Sequence, residues 1–224
     1  ILDDYGDDIR PGDVFACNDP YLGAIHQPDM ATVMPIFVNG EIFSWIGASG
    51  HQLDTGGTDP GGFSIKAVNV HQEGLRMPPV KLVEKGVLNE DLLRWILNQV
   101  RDPLVGLDIR GQVAALNVGR RRIIELVDRW GVDTMRAVME RSIGEAREKL
   151  KKRLSQLPNG IWRDVQYIDH DGHQNEIYKI ICTMTKNDDR LTFDFSGTSP
   201  NARGLINSTY ACLLYTSPSP RDRG

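Results

Sequence analysis

Met30-Ala31-Thr32-Val33-Met34-Pro35-Ile36-Phe37-Val38-Asn39-Gly40-Glu41-Ile42-Phe43-Ser44-Trp45-Ile46-Gly47-Ala48 is the most informative stretch of the chain. Two apolar runs, residues 30–37 and 41–48, flank Asn39-Gly40. Asn-Gly between such runs is the strongest short-range hairpin signal, because both central turn positions need positive φ. Both arms are almost continuously apolar, as in strands buried on both faces. Pro35 marks a bulge or an edge position. The hairpin has a chemical consequence, because it folds the chain just before the first arm back onto the chain just after the second.

Those two flanks are polar and rich in Gly and Pro. The first reads Asn18-Asp19-Pro20-Tyr21-Leu22-Gly23-Ala24-Ile25-His26-Gln27-Pro28-Asp29, and the second runs from Gly50-His51-Gln52-Leu53-Asp54 through Gly56-Gly57 to Gly61-Gly62. Together they hold two of the five histidines. His26-x-x-Asp29 and His51 meet if the hairpin forms. Two imidazoles and one carboxylate leave coordination positions open for water or substrate, the arrangement used for Zn(II), Mn(II) or Fe(II) chemistry. Asp54, and less directly Asp19, are candidates for a fourth ligand, a hydrogen-bond partner of an imidazole, or a general base. By spacing alone, two histidines and an aspartate in loops are more often solvated or hydrogen-bonded structural groups. The glycine loop after Asp54 suits either a phosphate cradle or a tight, mobile turn. No Lys-Ser/Thr follows it, so it is not a P-loop.

The rest of the chain changes period twice. Residues 13–17 read as a short strand after the Arg10-Pro11-Gly12 turn, and residues 63–70 as a further strand. Asn89 is an N-cap for a helix carrying Leu92, Leu93, Ile96 and Val100. Helical spacing continues over 112–130 and 133–157. Residues 161–168, 176–185 and 190–195 then alternate as strands. His170-x-x-His173 lies in the connection between the first two, where Asp171-Gly172 turn chemistry accounts for it. The fold class is therefore α+β, in four parts. Residues 1–88 form a β-rich metal-site region with a buried hairpin, and 89–157 a three-helix segment. Residues 158–210 form an antiparallel β meander. Residues 211–224, ending in Pro, Ser and Arg, read as a foreign or disordered tail, with the whole an internal piece of a longer protein.

Composition excludes some classes. The net charge of -4 over 224 residues supplies no field for nucleic acid or an anionic membrane surface. No apolar run reaches the roughly 18 residues of a membrane span. Cys17, Cys182 and Cys212 are three and far apart, without a CxxC, which fits a reducing cytoplasm.

Several segments resemble the hydantoinase B/oxoprolinase family in the right order. They are Gly12-Asp13-Val14-Phe15, Asn18-Asp19-Pro20-Tyr21, His26-Gln27-Pro28-Asp29, Gly50-His51 with Asp54-x-Gly56-Gly57, Gln72-Glu73-Gly74, Pro78-Pro79-x-Lys81 and Asp194-Phe195-Ser196-Gly197-Thr198. That family includes the α subunits of ketone carboxylases. The resemblance ends after Ala211. It implies a cytoplasmic catalytic subunit that works with a hydantoinase A-type, ATP-binding partner, ATP being used on the partner. It also implies a metal, Mn(II) before Zn(II) or Fe(II), on His26, Asp29 and His51; beside it the residues themselves offer Asp54 as the nearby base and Asp19 as a second catalytic candidate. The implied activity is ATP-dependent ring opening of a cyclic amide such as hydantoin or 5-oxoproline. One alternative is a ketone carboxylase, and another is a scaffold that only binds a partner subunit. Gly23-Ala24-Ile25 replaces the Gly-Gly-Thr common before the histidine, which leaves the substrate open.

Overall fold

Strands β2 (Asp29–Val38) and β3 (Glu41–His51) pair antiparallel from Val38↔Glu41 at the turn to Asp29↔His51 at the open end. Asn39 and Gly40 take φ of 53° and 85°, the two positive values the turn demands. The structure, a computed structural model, describes residues 1–216. The hairpin belongs to a five-stranded antiparallel sheet of order β3-β2-β1-β4-β5, with β1 at Val14–Cys17, β4 at Val80–Glu84 and β5 at Val87–Leu88. Pro35 lies past the last residue of β2 registered against β1, Val33, and one residue before the register shift between Ile36 and Phe37. It therefore occupies an irregular position, as its missing N–H requires.

β2 is a central strand and buries Met30, Thr32, Met34 and Ile36. β3 is different. It forms the sheet's edge, and its residues are half-buried or exposed, because no strand covers its outer side. The expected burial of both arms on both faces is not met: β2 buries the face of Met30, Thr32, Met34 and Ile36 while Ala31, Val33 and Phe37 on its other face are half-buried, and β3 buries neither face fully.

Helices α2 (Glu90–Gln99) and α3 (Val105–Trp130) cover one face of this sheet. Leu93, Ile96, Val105, Ile109 and Leu116 form one core with Val14, Ala16, Met30, Met34 and Leu82. Asn89 caps α2 by accepting the Leu92 N–H at 3.0 Å. Asp102 accepts the Leu104 N–H at 2.9 Å, so α3 starts seven residues before the point that periodicity indicates. On the opposite face Phe15 meets Tyr5 of α1 (Leu2–Tyr5) and Trp45, at ring-centroid distances of 4.9 and 6.4 Å.

Residues 63–70 are not a strand; they bend irregularly into the short turn Val70–Gln72. The added strands instead come from β4 and β5, joined at Lys85-Gly86 with φ of 50° and 85°.

The chain divides into two units, residues 1–129 with the segment from 208, and residues 130–207. The second holds α4 (Val132–Ser155) and the antiparallel meander β6 (Gly160–Ile168), β7 (Tyr178–Asn187) and β8 (Arg190–Asp194). Buried Asp171 organises the β6–β7 connection. It accepts the N–H groups of His173 and Gln174, both at 2.8 Å, and the Tyr178 hydroxyl at 2.9 Å. The Gln174 and His173 amides hold its carboxyl well below the usual carboxylate range. Turn chemistry thus accounts for the His170–His173 stretch. The tail is helical over Tyr210–Thr216 (α5), and the remainder of the expected tail lies outside the described residues. Among the described residues no helix is long and apolar enough to cross a membrane.

Candidate metal centre

Asn18 stands at the end of β1 and is wholly buried. Its amide donates to the carbonyls of Gln27 and Leu75, both at 2.8 Å, and its Oδ1 accepts the Met77 N–H at 2.7 Å. A buried amide satisfied this way fastens the following loop to residues 75–77. Asp19 then closes a turn. Its Oδ1 accepts the Tyr21 N–H at 2.9 Å, and its carbonyl accepts those of Leu22 and Ala24. Arg76 Nε lies 3.7 Å from the other carboxylate oxygen. The Asp29 N–H donates to the His26 carbonyl at 3.1 Å, which folds His26 back over Asp29. Pro28 seals the open end of the hairpin by accepting the N–H of Gln52 at 2.8 Å and of Met30 at 3.0 Å.

The result joins three predicted ligands. His26 Nε2 lies 3.1 Å from Asp29 Oδ2. The rings of His26 and His51 have centroids 4.9 Å apart. One donor atom from each of His26, Asp29 and His51 lies within 4.8 Å of the others. His26 and Asp29 are half-buried and His51 is exposed, so one side of the group faces solvent. Burial pushes the His26 imidazole below its usual pKa, against the pull of Asp29 and with the help of His51. Its neutral form is favoured, and a neutral imidazole is the form that ligates metals. Two imidazoles, one carboxylate and an open side are a donor set of the kind that holds a divalent ion.

Asp54 and Asp19 do not join the three. The Asp54 side chain is buried and accepts the Gly56 N–H at 2.6 Å, the Gly61 N–H at 2.9 Å, and Arg101 Nη1 at 3.1 Å to each oxygen. Burial alone would raise its pKa, but the Gly61 and Gly56 amides and the Arg101 guanidinium outweigh it and hold the carboxyl low. Arg101 also donates to the carbonyls of Gly57 and Asp59. This arginine escapes sequence reading. It follows α2, 47 residues beyond Asp54, and the sole signal for it is that a buried carboxylate among glycines needs a cation.

The loop so fixed runs back to the ligands. A Cβ on Gly56 would lie 2.5 Å from the Gln99 carbonyl oxygen, and one on Gly62 2.6 Å from Pro28 Cγ. Only glycine allows these approaches. The Gly62–Pro28 contact seats Phe63 beside His26, with ring centroids 6.2 Å apart.

Comparison with known proteins places the chain. The family model described as hydantoinase B/oxoprolinase matches residues 1–217, running past the point where the motifs end. The acetophenone carboxylase delta subunit of Aromatoleum aromaticum is 31% identical over 93% of this chain and 31% of its own length. The B-type subunit of a putative D-/L-hydantoinase from a Pseudomonas species is 32% identical over 89% of this chain and 35% of its own. The crystal structure of the ATP-dependent caprolactamase from Pseudomonas jessenii superposes with a TM-score of 0.88 at 31% identity, over 95% of this chain and 37% of that one. The chain therefore spans about a third of the length of these relatives.

Proposed function

Because the chain belongs to the hydantoinase B/oxoprolinase family, we propose that it carries the metal site of a catalytic subunit that opens cyclic amides of the hydantoin, 5-oxoproline or lactam type, with ATP used by an A-type partner subunit. The observation that carries this reading is the convergence of His26, Asp29 and His51 within 4.8 Å. An ion held by these residues, Mn(II) ahead of Zn(II) or Fe(II), would supply Lewis acidity toward a carbonyl oxygen or a bound water.

The residues themselves have separable tasks. His26, kept neutral, presents its lone pair to the site, and Asp29 supplies negative charge 3.1 Å away. His51, exposed at the end of β3, faces the side from which substrate enters. An amide is a poor electrophile, and phosphorylation of its oxygen by the partner makes the ring carbon electrophilic, so that water adds there, the C–N bond breaks to free the amine, and the acyl phosphate left behind is hydrolysed by a second water to carboxylate and phosphate. Asp54 has both oxygens committed to Gly56, Gly61 and Arg101, so we assign it to holding the loop rather than to accepting the proton of that water. Asp19 holds the preceding loop in the same way.

The 31% identity to an acetophenone carboxylase subunit favours a second reading, in which the same three residues organise an enolate for carboxylation. Metal analysis of the full-length subunit with its partner separates these readings from a scaffold role. We expect about one ion per subunit, and loss of that ion with at least a hundredfold fall in turnover in His26→Ala. No bound metal together with full activity in His26→Ala would sink both metal-dependent readings. ATP turnover that needs bicarbonate and a ketone, rather than a cyclic amide, would select the carboxylase.

A further inference from the structure

Phe63 is 61% exposed, yet its position is strongly determined. The loop that carries it is fixed at its start by Asp54 and along its length by the Arg101 fork, with contacts to Asp54, Gly57 and Asp59. It is fixed at its end by Gly62 against Pro28, a residue adjacent to ligand Asp29. So many fastenings on a loop that ends in a water-exposed aromatic ring indicate that the ring is placed for something other than the core. Its neighbour is His26, at 6.2 Å between centroids and 48° between planes.

We infer that Phe63 is a specificity-determining residue, the apolar wall on which the non-reacting ring of the substrate rests, and that Arg101, acting through Asp54, is the positioning residue that keeps it there. The inference rests on the metal-site reading above and adds the substrate class. A cyclic amide that presents its carbonyl to His26, Asp29 and His51 brings its remaining ring atoms within reach of the Phe63 ring, whose centroid lies 6.2 Å from that of His26. An aromatic face there favours methylene groups through burial of apolar area. It disfavours a carboxylate on the ring, because the face of a benzene ring carries negative charge density. The preferred substrates are therefore lactams with hydrocarbon rings, over acidic ones such as 5-oxoproline.

The test uses the full-length subunit with its ATP-using partner, and ε-caprolactam and 5-oxoproline as probes. Wild type is expected to take ε-caprolactam with the higher kcat/KM. Phe63→Ala should raise KM for ε-caprolactam about tenfold, equal to about 1.4 kcal/mol, with kcat and metal content unchanged and the KM for 5-oxoproline unmoved. Phe63→Leu keeps an apolar wall and should stay within about threefold of wild type. Arg101→Ala should reproduce the KM rise of Phe63→Ala, again with metal retained. Calorimetric binding of ε-caprolactam to the metal-loaded subunit gives a reading independent of turnover, and Phe63→Ala should weaken it by the same factor. A wild-type preference for 5-oxoproline, no binding of ε-caprolactam, or equal effects of Phe63→Ala on both probes overturns the inference. Failure of the metal reading shows separately, as absent metal or an active His26→Ala.

Discussion

Asp54 accepts hydrogen bonds from Gly56, Gly61 and Arg101, so its ionised form is the one the folded loop binds. Its carboxyl sits below the ordinary 3.8 in the fold, the amides and the guanidinium overcoming the opposing effect of burial. A folded pKa below the unfolded one stabilises the fold above the unfolded value, and that contribution is lost as pH falls through the folded value. Thermal unfolding followed from pH 6 down to pH 3 should show it. Wild type should lose stability on the acid side below about pH 4 more steeply than Asp54→Asn. At pH 6 Asp54→Asn should be less stable by on the order of 2 kcal/mol, part of the ion pair being screened because Arg101 is partly exposed. Parallel acid limbs for the two proteins would remove Asp54 from this role. The contrast with Asp29 is instructive. Both are aspartates in polar loops near the same hairpin, but the donors around Asp54 are already in place, whereas Asp29 has His26 beside it and faces His51 across the register.

At the scale of elements, the loop of residues 54–63 depends on close approaches that the glycines permit. Gly61 and Gly62 both have positive φ, at 84° and 76°. A Cβ on Gly61 meets nothing within 4 Å, whereas one on Gly62 falls 2.6 Å from Pro28 Cγ. Gly61→Ala should therefore cost only the backbone penalty of about 1–2 kcal/mol. Gly62→Ala should cost more, about 2–3 kcal/mol, and should also weaken metal binding, because Pro28 adjoins Asp29. Melting temperature and metal affinity, measured on both variants, compare the two, and equal effects would show that the Pro28 contact does not matter. The hairpin and the meeting of His26, Asp29 and His51 at its open end were legible beforehand because their signals are local: Asn39-Gly40, two apolar runs and polar flanks. What was hidden depends on distant partners. β4 and β5 are short and follow Pro78-Pro79, and β4 is a strand because β1 lies beside it. β3 is exposed because it is last in the sheet, which no pattern within β3 records. Residues 63–70 alternate like a strand but have no neighbour to pair with in the sheet. Gly106 and Gly111 dilute the first turns of α3, and Arg101 reveals its purpose only once Asp54 is seen to be buried.

For the whole molecule, the three candidate ligands, the loop and its arginine all belong to the unit of residues 1–129. A ligand that binds only the folded state stabilises it by about 2.7 kcal/mol at one hundred times its dissociation constant. Added Mn(II) should therefore slow hydrogen exchange along β2 and β3 and leave β6, β7 and β8 unchanged. Equal protection of both sets of strands would count against a site confined to the first unit. One feature of that site reaches beyond its chemistry. His26, Asp29, His51 and Phe63 all fall within one unbroken run of chain, residues 26–63, and Arg101 enters from elsewhere. Most of the locus thus lies on a single cassette of chain. Exchange of that cassette at its two ends, between relatives that share the hairpin, would carry ligands and substrate wall together. Divergence inside it can redirect the reaction while the helices and both sheets stay as they are.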